Sequence, residues 1–598
     1  MCGIIGYVGK DNGLQVLIDG LKSLEYRGYD SSGVAYFKNK KVNIIKTNGK
    51  VSDLEKILSM SEKVNIGIAH TRWATHGKPN EINAHPHTVG KITLVHNGII
   101  ENYNKLKENL IKEGYTFISQ TDTEILTALI DKYYKLEGDV VAALDKIKNI
   151  VKGSYAIAVI CSDNTDTIYA IRNGSPLIVG IDDNRFYIAS DVPAILKYTN
   201  KYILLNDNEI VKLNNELTIY DTLLNVTLKD INIFEGNIEC AEKNNFEHFM
   251  LKEIHEQDEV IKKTMFPYVE NGLDFKSMPD FSEYNNIHIV ACGSAYHAGL
   301  IGKSLIEKYA NIKCDVEIAS EYRYKKLFYN NKTLLIVVSQ SGETADTLAS
   351  LRLAKNANID TLAIVNVVGS SIARESKYVI YTKAGYEIAV ATTKALMSQL
   401  SIFSLIAFNI GIKKNIIDKK TSELIINDIF NLPKNLNNFI NKDHKKIAKK
   451  LYKHEHVFFI GRLIDYPLAM EGSLKLKEIS YIHSEAYAAG ELKHGTISLI
   501  CDKTPVIGII TDNDILEKTI SNIKEVKARG ANTFLIITNN LNGNFDMIDN
   551  KIIIPSVHEL LQPILTLLPL QLISYEIAKM RGCDIDKPKN LAKSVTVE

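Results

Sequence analysis

Cys2, the second residue of the chain, has the chemistry of an N-terminal nucleophile. Once Met1 is removed, its thiol and its own α-amine lie side by side, with ordinary pKa values of about 8.5 and about 7.7 to 8. The amine can then take the thiol proton near neutral pH and leave a nucleophilic thiolate. Gly3 lets the backbone bend closely around the sulfur. The alternative is that Cys2 is a small buried side chain in a first strand.

Several polar stretches nearby have residue types that could bind an amino acid. Residues 25–33 (EYRGYDSSG) and 70–77 (HTRWATHG) each place an arginine, whose fork suits a carboxylate, among glycine and hydroxyl residues. Asn97 and Gly98 offer a side-chain amide and a backbone N–H to a developing oxyanion, or simply form a tight turn. Asp122 offers a carboxylate to a substrate ammonium, or belongs to a helix N-cap.

The second half of the chain carries two groups of residues that could bind a phosphate ester and move a proton. Residues 292–295 (CGSA) and 339–344 (SQSGET) follow strand-like runs, and their hydroxyls and N–H groups either bind an anion or cap a helix. The lysine of an ATP-binding loop is missing there, which favours a small phosphate ester over a nucleotide. Lys475 and Glu478, at i and i+3, share one helix face. Such a pair is either a solvated ion pair or, among these apolar neighbours, a desolvated general base with its lysine.

The elements that must position these residues are of two kinds. Up to about residue 235, short strand-like runs and two helical stretches predict an α+β unit with antiparallel sheets. From about residue 285, buried strand-like runs at 287–291, 334–338 and 361–365 are each followed by a loop and a helical stretch. Runs at 457–460, 506–510 and 533–537 repeat this series with similar spacing. This repeat predicts two doubly wound α/β domains. We place the boundaries at 1–240, 241–284 for a polar helical connector, 285–435, 436–585, and 586–598 for a C-terminal tail.

Composition narrows the class of protein. With 71 Lys and Arg against 70 Asp and Glu, the formal charge of +1 gives no argument for nucleic acid or for an acidic membrane surface as a partner. The seven cysteines are scattered and contain no C-x-x-C pair, so neither a disulfide framework nor a zinc ribbon is indicated. No signal peptide and no run of about 18 apolar residues is recognised, so we expect a soluble protein of the reducing cytoplasm.

Five histidines raise the question of a metal site: His70, His76, His85, His87 and His96. They are shared among several predicted strands and loops, and no carboxylate or thiol stands at ligand spacing. We therefore expect no metal.

Taken in order, the segments from Cys2 to Asp122 resemble the glutaminase domain of N-terminal-nucleophile amidotransferases, an αββα sandwich. The resemblance implies that Cys2 attacks the side-chain amide of glutamine with its α-amine as base. It also implies that Asn97 and Gly98 form the oxyanion hole. The implied glutamine-binding residues are Arg72 for the α-carboxylate, Asp122 for the α-ammonium, and Trp73, Thr75 and His76. Trp73 is also the implied gate of an ammonia passage.

Nearly the whole chain, including its end at 590–598 (NLAKSVTVE), resembles the isomerising glutamine:fructose-6-phosphate aminotransferase family. The two repeats correspond to that family's sugar-isomerase (SIS) domains. By this resemblance, Glu478 moves the proton between C1 and C2, and His494 opens the sugar ring from a neighbouring subunit. Lys593 forms an imine with the ketose, and Lys475 assists near the carbonyl. The implied sugar-phosphate-binding residues are Ser294, Ser339, Gln340, Ser341, Thr344, Val390 and Thr392.

The resemblance implies conversion of fructose 6-phosphate and glutamine to glucosamine 6-phosphate and glutamate, the first step of amino-sugar synthesis. It implies a homodimer without metal, other cofactor, nucleic acid or membrane. Alternatives are another amidotransferase, such as a phosphoribosyl-type one, and a sugar-phosphate-binding regulator without turnover.

Four positions depart from the family pattern: Ala295 and Thr392 replace serine, Thr496 replaces proline, and Lys589 replaces arginine. Because Ala295 has no hydroxyl, either Ser294 compensates or phosphate affinity is lower. The chain lacks the long insertion of animal and fungal forms.

Overall fold

The computed structural model describes residues 2–10, 12–73, 76–234, 243–328 and 332–596. The chain divides into two compact units, Met1–Glu242 with Ala592–Glu598, and Lys243–Leu591. Two residues of the expected glutamine chemistry, Met1 and Thr75, lie outside the described residues.

The described part of the N-terminal unit consists of short strands, five α-helices and a 3-10 turn at Val192–Ala194. The strands are β1 (Gly3–Val8), β2 (Ser31–Lys38), β3 (Lys41–Asn48), β4 (Ile66–Arg72), β5 (His87–Val89), β6 (Ile92–Ile100), β7 (Gly153–Cys161), β8 (Asn164–Asn173), β9 (Ile178–Asp182), β10 (Arg185–Ala189), β11 (Lys201–Leu204), β12 (Ile210–Leu213), β13 (Leu217–Tyr220) and β14 (Asn232–Ile233). The helices are α1 (Gly13–Leu24), α2 (Val51–Ile57), α3 (Tyr103–Lys112), α4 (Asp122–Glu137) and α5 (Val140–Lys148).

Two antiparallel sheets pack face to face in this unit. Their strand orders are β14-β11-β9-β10-β1-β4-β2-β3 and β13-β12-β8-β7-β6-β5. Between the sheets, Ile4 and Ile68 of the first pack in one core cluster with Ala156 and Ile168 of the second. Helix α1 packs on the other face of the first sheet, and α4 and α5 pack on the other face of the second. The central strands β1 and β4 are buried along their whole length because both of their faces are covered. The four layers confirm the predicted αββα fold.

The second unit contains the remaining elements. Its strands are β15 (Asn286–Ala291), β16 (Lys313–Ile318), β17 (Thr333–Ser339), β18 (Asp360–Val365), β19 (Tyr378–Tyr381), β20 (His456–Gly461), β21 (His483–Ala488), β22 (Pro505–Ile510), β23 (Asn532–Thr538) and β24 (Asn550–Ile554). Its helices are α6 (Phe249–His255), α7 (Gln257–Met265), α8 (Gly293–Ala310), α9 (Ala319–Tyr322), α10 (Ala345–Asn356), α11 (Ser371–Glu375), α12 (Lys394–Lys413), α13 (Lys419–Ile440), α14 (Lys445–Leu451), α15 (Asp465–Ser480), α16 (Leu516–Lys527) and α17 (Gln562–Met580).

Two parallel five-stranded sheets organise this unit, with the orders β16-β15-β17-β18-β19 and β21-β20-β22-β23-β24. Both orders are doubly wound, which confirms the predicted duplicated α/β fold. In each sheet the order reverses between the first and third strands of the series, and ligands of such sheets bind at the carboxyl ends of the strands at this point. In the first sheet, the loops after β15 and β17 therefore lie at the expected ligand-binding position.

One helix departs from the expectation that the chain has no long apolar stretch. By length and composition, Lys394–Lys413 could cross a membrane. However, 94% of its most apolar window is buried inside the protein, as in the core helix of a globular unit.

Candidate active sites

Cys2 lies at the start of the buried strand β1, beside the end of β4. The strand register pairs Gly3 with Thr71. The sulfur of Cys2 accepts a hydrogen bond from the Trp73 N–H at 3.4 Å, and its carbonyl accepts one from Asn97 Nδ2 at 3.1 Å. Burial raises the pKa of the Cys2 thiol above its ordinary value. A thiol in this position needs a base to become a thiolate near neutral pH.

Asn97 and Gly98 lie inside β6, so the tight-turn alternative is wrong. Gly98 has a φ of +133°, and a Cβ there would meet the carbonyl oxygen of Ser154 at 1.9 Å. Only glycine fits this position. The strand therefore brings the Asn97 amide to the start of β1, because Asn97 Nδ2 reaches the Cys2 carbonyl.

His70 fixes the orientation of the Asn97 amide. His70 Nε2 lies 3.1 Å from Asn97 Oδ1 and 3.0 Å from the carbonyl oxygen of His96. Two acceptors at one nitrogen require the proton to be on Nε2. Burial lowers the pKa of His70 to about 3, so the ring is neutral at physiological pH. The His70 Nε2–H donates to Asn97 Oδ1, so the Asn97 side-chain NH₂ group faces Cys2 and donates to its carbonyl.

Three further buried histidines of the N-terminal unit form a neutral network near this amide. Burial lowers the pKa of His85, His87 and His96 below the ordinary value. The hydroxyl of Thr123 lies 3.0 Å from His85 Nε2 and 3.1 Å from His96 Nδ1. In the described part of the chain, no group of three or more His, Cys, Asp or Glu is arranged to hold a metal ion. These rings are held by hydroxyl and backbone hydrogen bonds.

Arg72 lies at the end of β4 and is 3% exposed. Its guanidinium donates to the backbone carbonyls of His76, Gly77 and Lys78, with the last two at 3.4 and 3.5 Å. The arginine thus holds the backbone of residues 76–78.

Asp122 is the first residue of α4, and Thr121 rather than Asp122 is the N-cap. The carboxylate of Asp122 is 4% exposed and accepts a hydrogen bond from the Ile100 N–H at 2.9 Å. Since Ile100 ends β6, Asp122 is tied to the strand that carries Asn97 and Gly98.

The loop after β17 folds around its own hydroxyls. Ser339 Oγ lies 2.9 Å from Thr344 Oγ1 and accepts a hydrogen bond from the Gly342 N–H at 3.0 Å. Ser341 Oγ accepts from the N–H of the next but one residue at 3.2 Å. Gln340 lies between these serines, and Thr344 is the N-cap of α10. The hydroxyl cluster therefore stands at a helix start, where an anion is favoured.

A buried ionic cluster joins the two repeats. Ser294 Oγ donates to Glu471 at 2.9 Å, and His297 Nδ1 lies 2.7 Å from the same carboxylate. Lys475 Nζ lies 3.5 Å from Glu471 and 2.6 Å from Glu478. The side chains of Glu471 and Lys475 are 1% and 0% exposed, whereas that of Glu478 is 21% exposed. The shared face expected for Lys475 and Glu478 is present, but the fully buried carboxylate is Glu471.

The charges in this cluster stabilise one another. Burial alone would raise the pKa of Glu471, but Lys475, His297 and Ser294 lower it below the ordinary value. Burial would lower the pKa of Lys475, but Glu478 and Glu471 raise it. Both groups are therefore ionised at neutral pH. Sequence reasoning missed Glu471 and His297. The i, i+4 spacing of Glu471 and Lys475 was the signal available.

The remaining expected residues lie apart from this cluster along the chain. Thr392 Oγ1 donates to Glu387 at 2.6 Å, just before α12. His494 is exposed and follows a short 3-10 turn. Lys593 is half-buried and belongs to the segment from Ala592 onward that groups with the N-terminal unit.

The two units together define a class of protein: an N-terminal-nucleophile glutamine amidotransferase joined to two sugar-isomerase domains. The family model of the glutamine amidotransferase domain matches residues 70–197, and that of the SIS domain matches 280–408 and 450–581. Glutamine–fructose-6-phosphate aminotransferase (isomerizing) of Clostridium tetani is 48% identical, with 100% of both chains covered. The protein of the same name from Clostridium acetobutylicum is 46% identical, again with 100% of both chains covered. This chain belongs to the isomerizing glutamine–fructose-6-phosphate aminotransferase family.

A solved structure agrees with this assignment. The C-terminal domain of glucosamine-fructose-6-phosphate aminotransferase from Francisella tularensis covers 58% of this chain and 100% of its own, with 39% identity and a TM-score of 0.55.

Proposed function

We propose that this enzyme converts glutamine and fructose 6-phosphate to glutamate and glucosamine 6-phosphate, the first step of amino-sugar synthesis. One observation carries the proposal: the same chain holds Cys2 with its carbonyl 3.1 Å from an amide donor, and a Lys475–Glu478 pair with a fully buried lysine in a duplicated sugar-isomerase fold. The first arrangement suits release of ammonia from glutamine. The second suits proton transfer on a sugar.

In the N-terminal unit, the free amine of Cys2 takes the thiol proton once Met1 is removed. The sulfur attacks the side-chain carbonyl carbon of glutamine, and the oxyanion is held by Asn97 and Gly98. Collapse of this intermediate breaks the C–N bond, and the departing nitrogen receives the proton and leaves as ammonia. Water then cleaves the thioester to give glutamate. The raised thiol pKa supports the need for the amine as base.

The ends of glutamine provide the remaining contacts in this proposal. Arg72 binds the α-carboxylate and Asp122 binds the α-ammonium. Trp73, Thr75 and His76 line the same site, and Trp73 gates the passage of ammonia. Their places in the fold support these roles, because Arg72 ends the strand that pairs with β1, and Asp122 binds the Ile100 N–H at the end of the strand that carries Asn97.

In the second unit, the phosphate of the sugar binds the hydroxyls and N–H groups of Ser339, Gln340, Ser341 and Thr344. The hydroxyl cluster at the start of α10 supports this role. Ser294 is assigned to the same pocket, although its hydroxyl here donates to Glu471. Ala295 leaves the pocket one hydroxyl short.

The sugar chemistry begins when His494 of a neighbouring subunit opens the ring. Lys593 then attacks C2 and releases water to form an imine, and ammonia displaces the lysine. Glu478 takes the proton from C1 and returns one to C2, while Lys475 stabilises charge near the carbonyl. Val390 and Thr392 line the pocket. The 2.6 Å contact between Lys475 and Glu478 supports their joint role.

We further propose a cytoplasmic homodimer that needs no metal or other cofactor. The exposure of His494 supports a role at a neighbouring subunit. The proposed division of labour is glutamine hydrolysis in 1–240, a connector at 241–284, sugar domains at 285–435 and 436–585, and a catalytic tail at 586–598.

The test is to incubate the enzyme with labelled glutamine and fructose 6-phosphate and to identify the products by NMR. We expect glutamate and glucosamine 6-phosphate. Phosphoribosyl pyrophosphate, offered in parallel, should remain unchanged. If the phosphoribosyl substrate is aminated instead, the amidotransferase assignment holds but the sugar substrate is wrong. If no glutamate forms with either substrate, the catalytic assignment is wrong.

A further inference from the structure

The loop of residues 388–390, which leads into the proposed sugar pocket, is held from two distant parts of the chain. Its first two N–H groups both donate to Glu253 Oε1, that of Ala389 at 3.2 Å. The N–H of Val390 donates to the main-chain oxygen of Asp586 at 3.0 Å. Three consecutive N–H groups therefore donate hydrogen bonds to two residues: Glu253 of the connector helix α6, and Asp586, the first residue of the tail.

Asp586 also holds the connector helix. Its carboxylate accepts hydrogen bonds from the Phe249 N–H at 2.9 Å and the Met250 N–H at 3.0 Å, the first two residues of α6. The N-cap residue His248 makes no side-chain cap of its own. One residue thus caps α6 with its side chain and binds the sugar-pocket loop with its main chain.

These contacts are buried and charged. Glu253 and Asp586 are 2% and 6% exposed. A buried N–H that loses its acceptor pays the full cost of desolvation, and hydrogen bonds to carboxylates are stronger than those between neutral groups. The ion pair of Asp586 with Lys243, by contrast, has a lysine that is 44% exposed. This exposed ion pair therefore contributes little to holding the loop in place.

We infer that Glu253 and Asp586 are positioning residues of the sugar site, which fix the 388–390 loop against Asp586, the first residue of the tail that also carries Lys593. A displacement of Asp586 therefore moves Val390, because the main chains of the two residues are joined by the 3.0 Å hydrogen bond. The inference rests on the proposed roles of Lys593 and Val390, and it assigns a function to contacts that lie outside the reacting atoms.

The test uses two positioning variants and two matched controls in the full-length enzyme. Glu253→Met keeps the side-chain length without an acceptor, and Asp586→Asn replaces one of the two acceptor oxygens. Asp418 is the N-cap of α13 in the same unit, and its carboxylate accepts a hydrogen bond from the Thr421 N–H at 2.7 Å. Asp418→Asn therefore makes the same substitution at a cap away from the sugar-pocket loop. Lys243→Met removes the exposed ion pair with Asp586, and with it the lysine's hydrogen bond to the Glu247 carbonyl and its contact over the Phe249 ring, but leaves the Asp586 carboxylate in place.

Both positioning variants should raise KM for fructose 6-phosphate by on the order of tenfold, the effect of a weakened charged hydrogen bond. The amount of glucosamine 6-phosphate formed per glutamate released should fall severalfold. Both controls should stay within about twofold of the wild type. A role in folding alone would lower the melting temperature but leave KM and the product ratio of the folded enzyme unchanged, and that result overturns the inference.

Lys593→Arg separates this inference from the proposed function. If Lys593→Arg makes no amino sugar while both positioning variants keep the wild-type KM and product ratio, only the inference is wrong. If Lys593→Arg keeps full amino-sugar synthesis, the proposed function of the tail is wrong and the inference falls with it.

Discussion

His297 Nδ1 lies 2.7 Å from the carboxylate of Glu471, across 174 residues of sequence. The contact joins α8 of the first parallel-sheet repeat to α15 of the second. The same carboxylate lies 3.5 Å from Lys475, which in turn binds Glu478. The position of the proposed proton-transfer pair therefore depends on a histidine of the other repeat.

Removal of that histidine should leave a buried carboxylate short of one donor. We expect His297→Leu to lower the free energy of unfolding by about 1–3 kcal/mol and to slow the conversion of fructose 6-phosphate to glucose 6-phosphate. His297→Asn, whose amide still donates, should lose less of both. Urea unfolding and an isomerase assay measure the two effects. Equal stability and activity of His297→Leu and the wild type would contradict this account.

Cys2→Ala should abolish the release of glutamate from glutamine, because the sulfur that forms the thioester is gone. A variant that keeps Met1, verified by mass, should be equally inactive because the free amine of Cys2 is missing. Both proteins should still convert fructose 6-phosphate to glucose 6-phosphate, which serves as the control for folding. Normal glutaminase activity of the Met1-retaining protein would show that the amine is not the base.

Lys593→Arg should lose amino-sugar synthesis while glutaminase activity is largely retained, because arginine keeps the charge but forms no imine. Borohydride added with fructose 6-phosphate should link the sugar covalently to Lys593 in the wild-type enzyme. Peptide mapping by mass spectrometry locates the adduct. A reduced adduct on another lysine would move the imine role to that residue.

Acid should destabilise the N-terminal unit through its buried histidines. Since burial lowers the pKa of His70 from 6.5 to about 3, the unfolded chain binds the proton first. The stabilisation from the neutral ring is complete above about pH 6.5 and is lost as the pH falls toward 3, by up to about 5 kcal/mol. Trp73, the only tryptophan, reports on this unit by fluorescence during urea unfolding at each pH.

His70→Gln tests the assignment of that pH dependence. Its amide can still donate to Asn97 but cannot take a proton in this range, so the loss of stability between pH 6.5 and 4 should be smaller than in the wild type. An unchanged slope would mean that His70 is not the titrating group.

Asp465 in the second unit should show the opposite pH dependence. The side chain is 0% exposed and accepts two hydrogen bonds from Thr511, from the N–H at 3.0 Å and from Oγ1 at 2.7 Å. Burial raises the pKa of Asp465 to about 6. The folded state thus binds the proton more tightly than the unfolded chain, and stability is lost as the pH rises from about 4 through 6.

Asp465→Asn should therefore be more stable than the wild type at pH 7.5 by up to about 3 kcal/mol, with little difference at pH 4. An asparagine can keep both contacts, because its oxygen accepts from the Thr511 N–H and its amide donates to Oγ1. Asp514→Asn, at an exposed position, is the control. Urea unfolding followed by circular dichroism measures the difference in the free energy of unfolding. If Asp465→Asn is less stable than the wild type at pH 7.5, the ionised Asp465 carboxylate does not destabilise the folded state.

The sequence alone determined the features that are local along the chain. The buried runs 287–291, 334–338 and 361–365, and their repeats, correspond to β15, β17 and β18 and to β20, β22 and β23. The i, i+3 spacing of Lys475 and Glu478 predicted a shared helix face, where the two are 2.6 Å apart. Such patterns work because the period of a helix or strand directly sets which side chains share a face.

Tertiary structure decided which distant groups meet. Asn97-Gly98 had the pattern of a tight turn, but pairing with β7 keeps it in a strand. Glu471, not Glu478, became the fully buried carboxylate because His297 and Ser294 of the other repeat supply its donors. Residues that are more than 170 positions apart, as Glu471 and its two donors are, show no helix or strand periodicity that would predict their contact. Their contact depends on how whole elements pack, since a buried charge is stable only where packing brings it a partner.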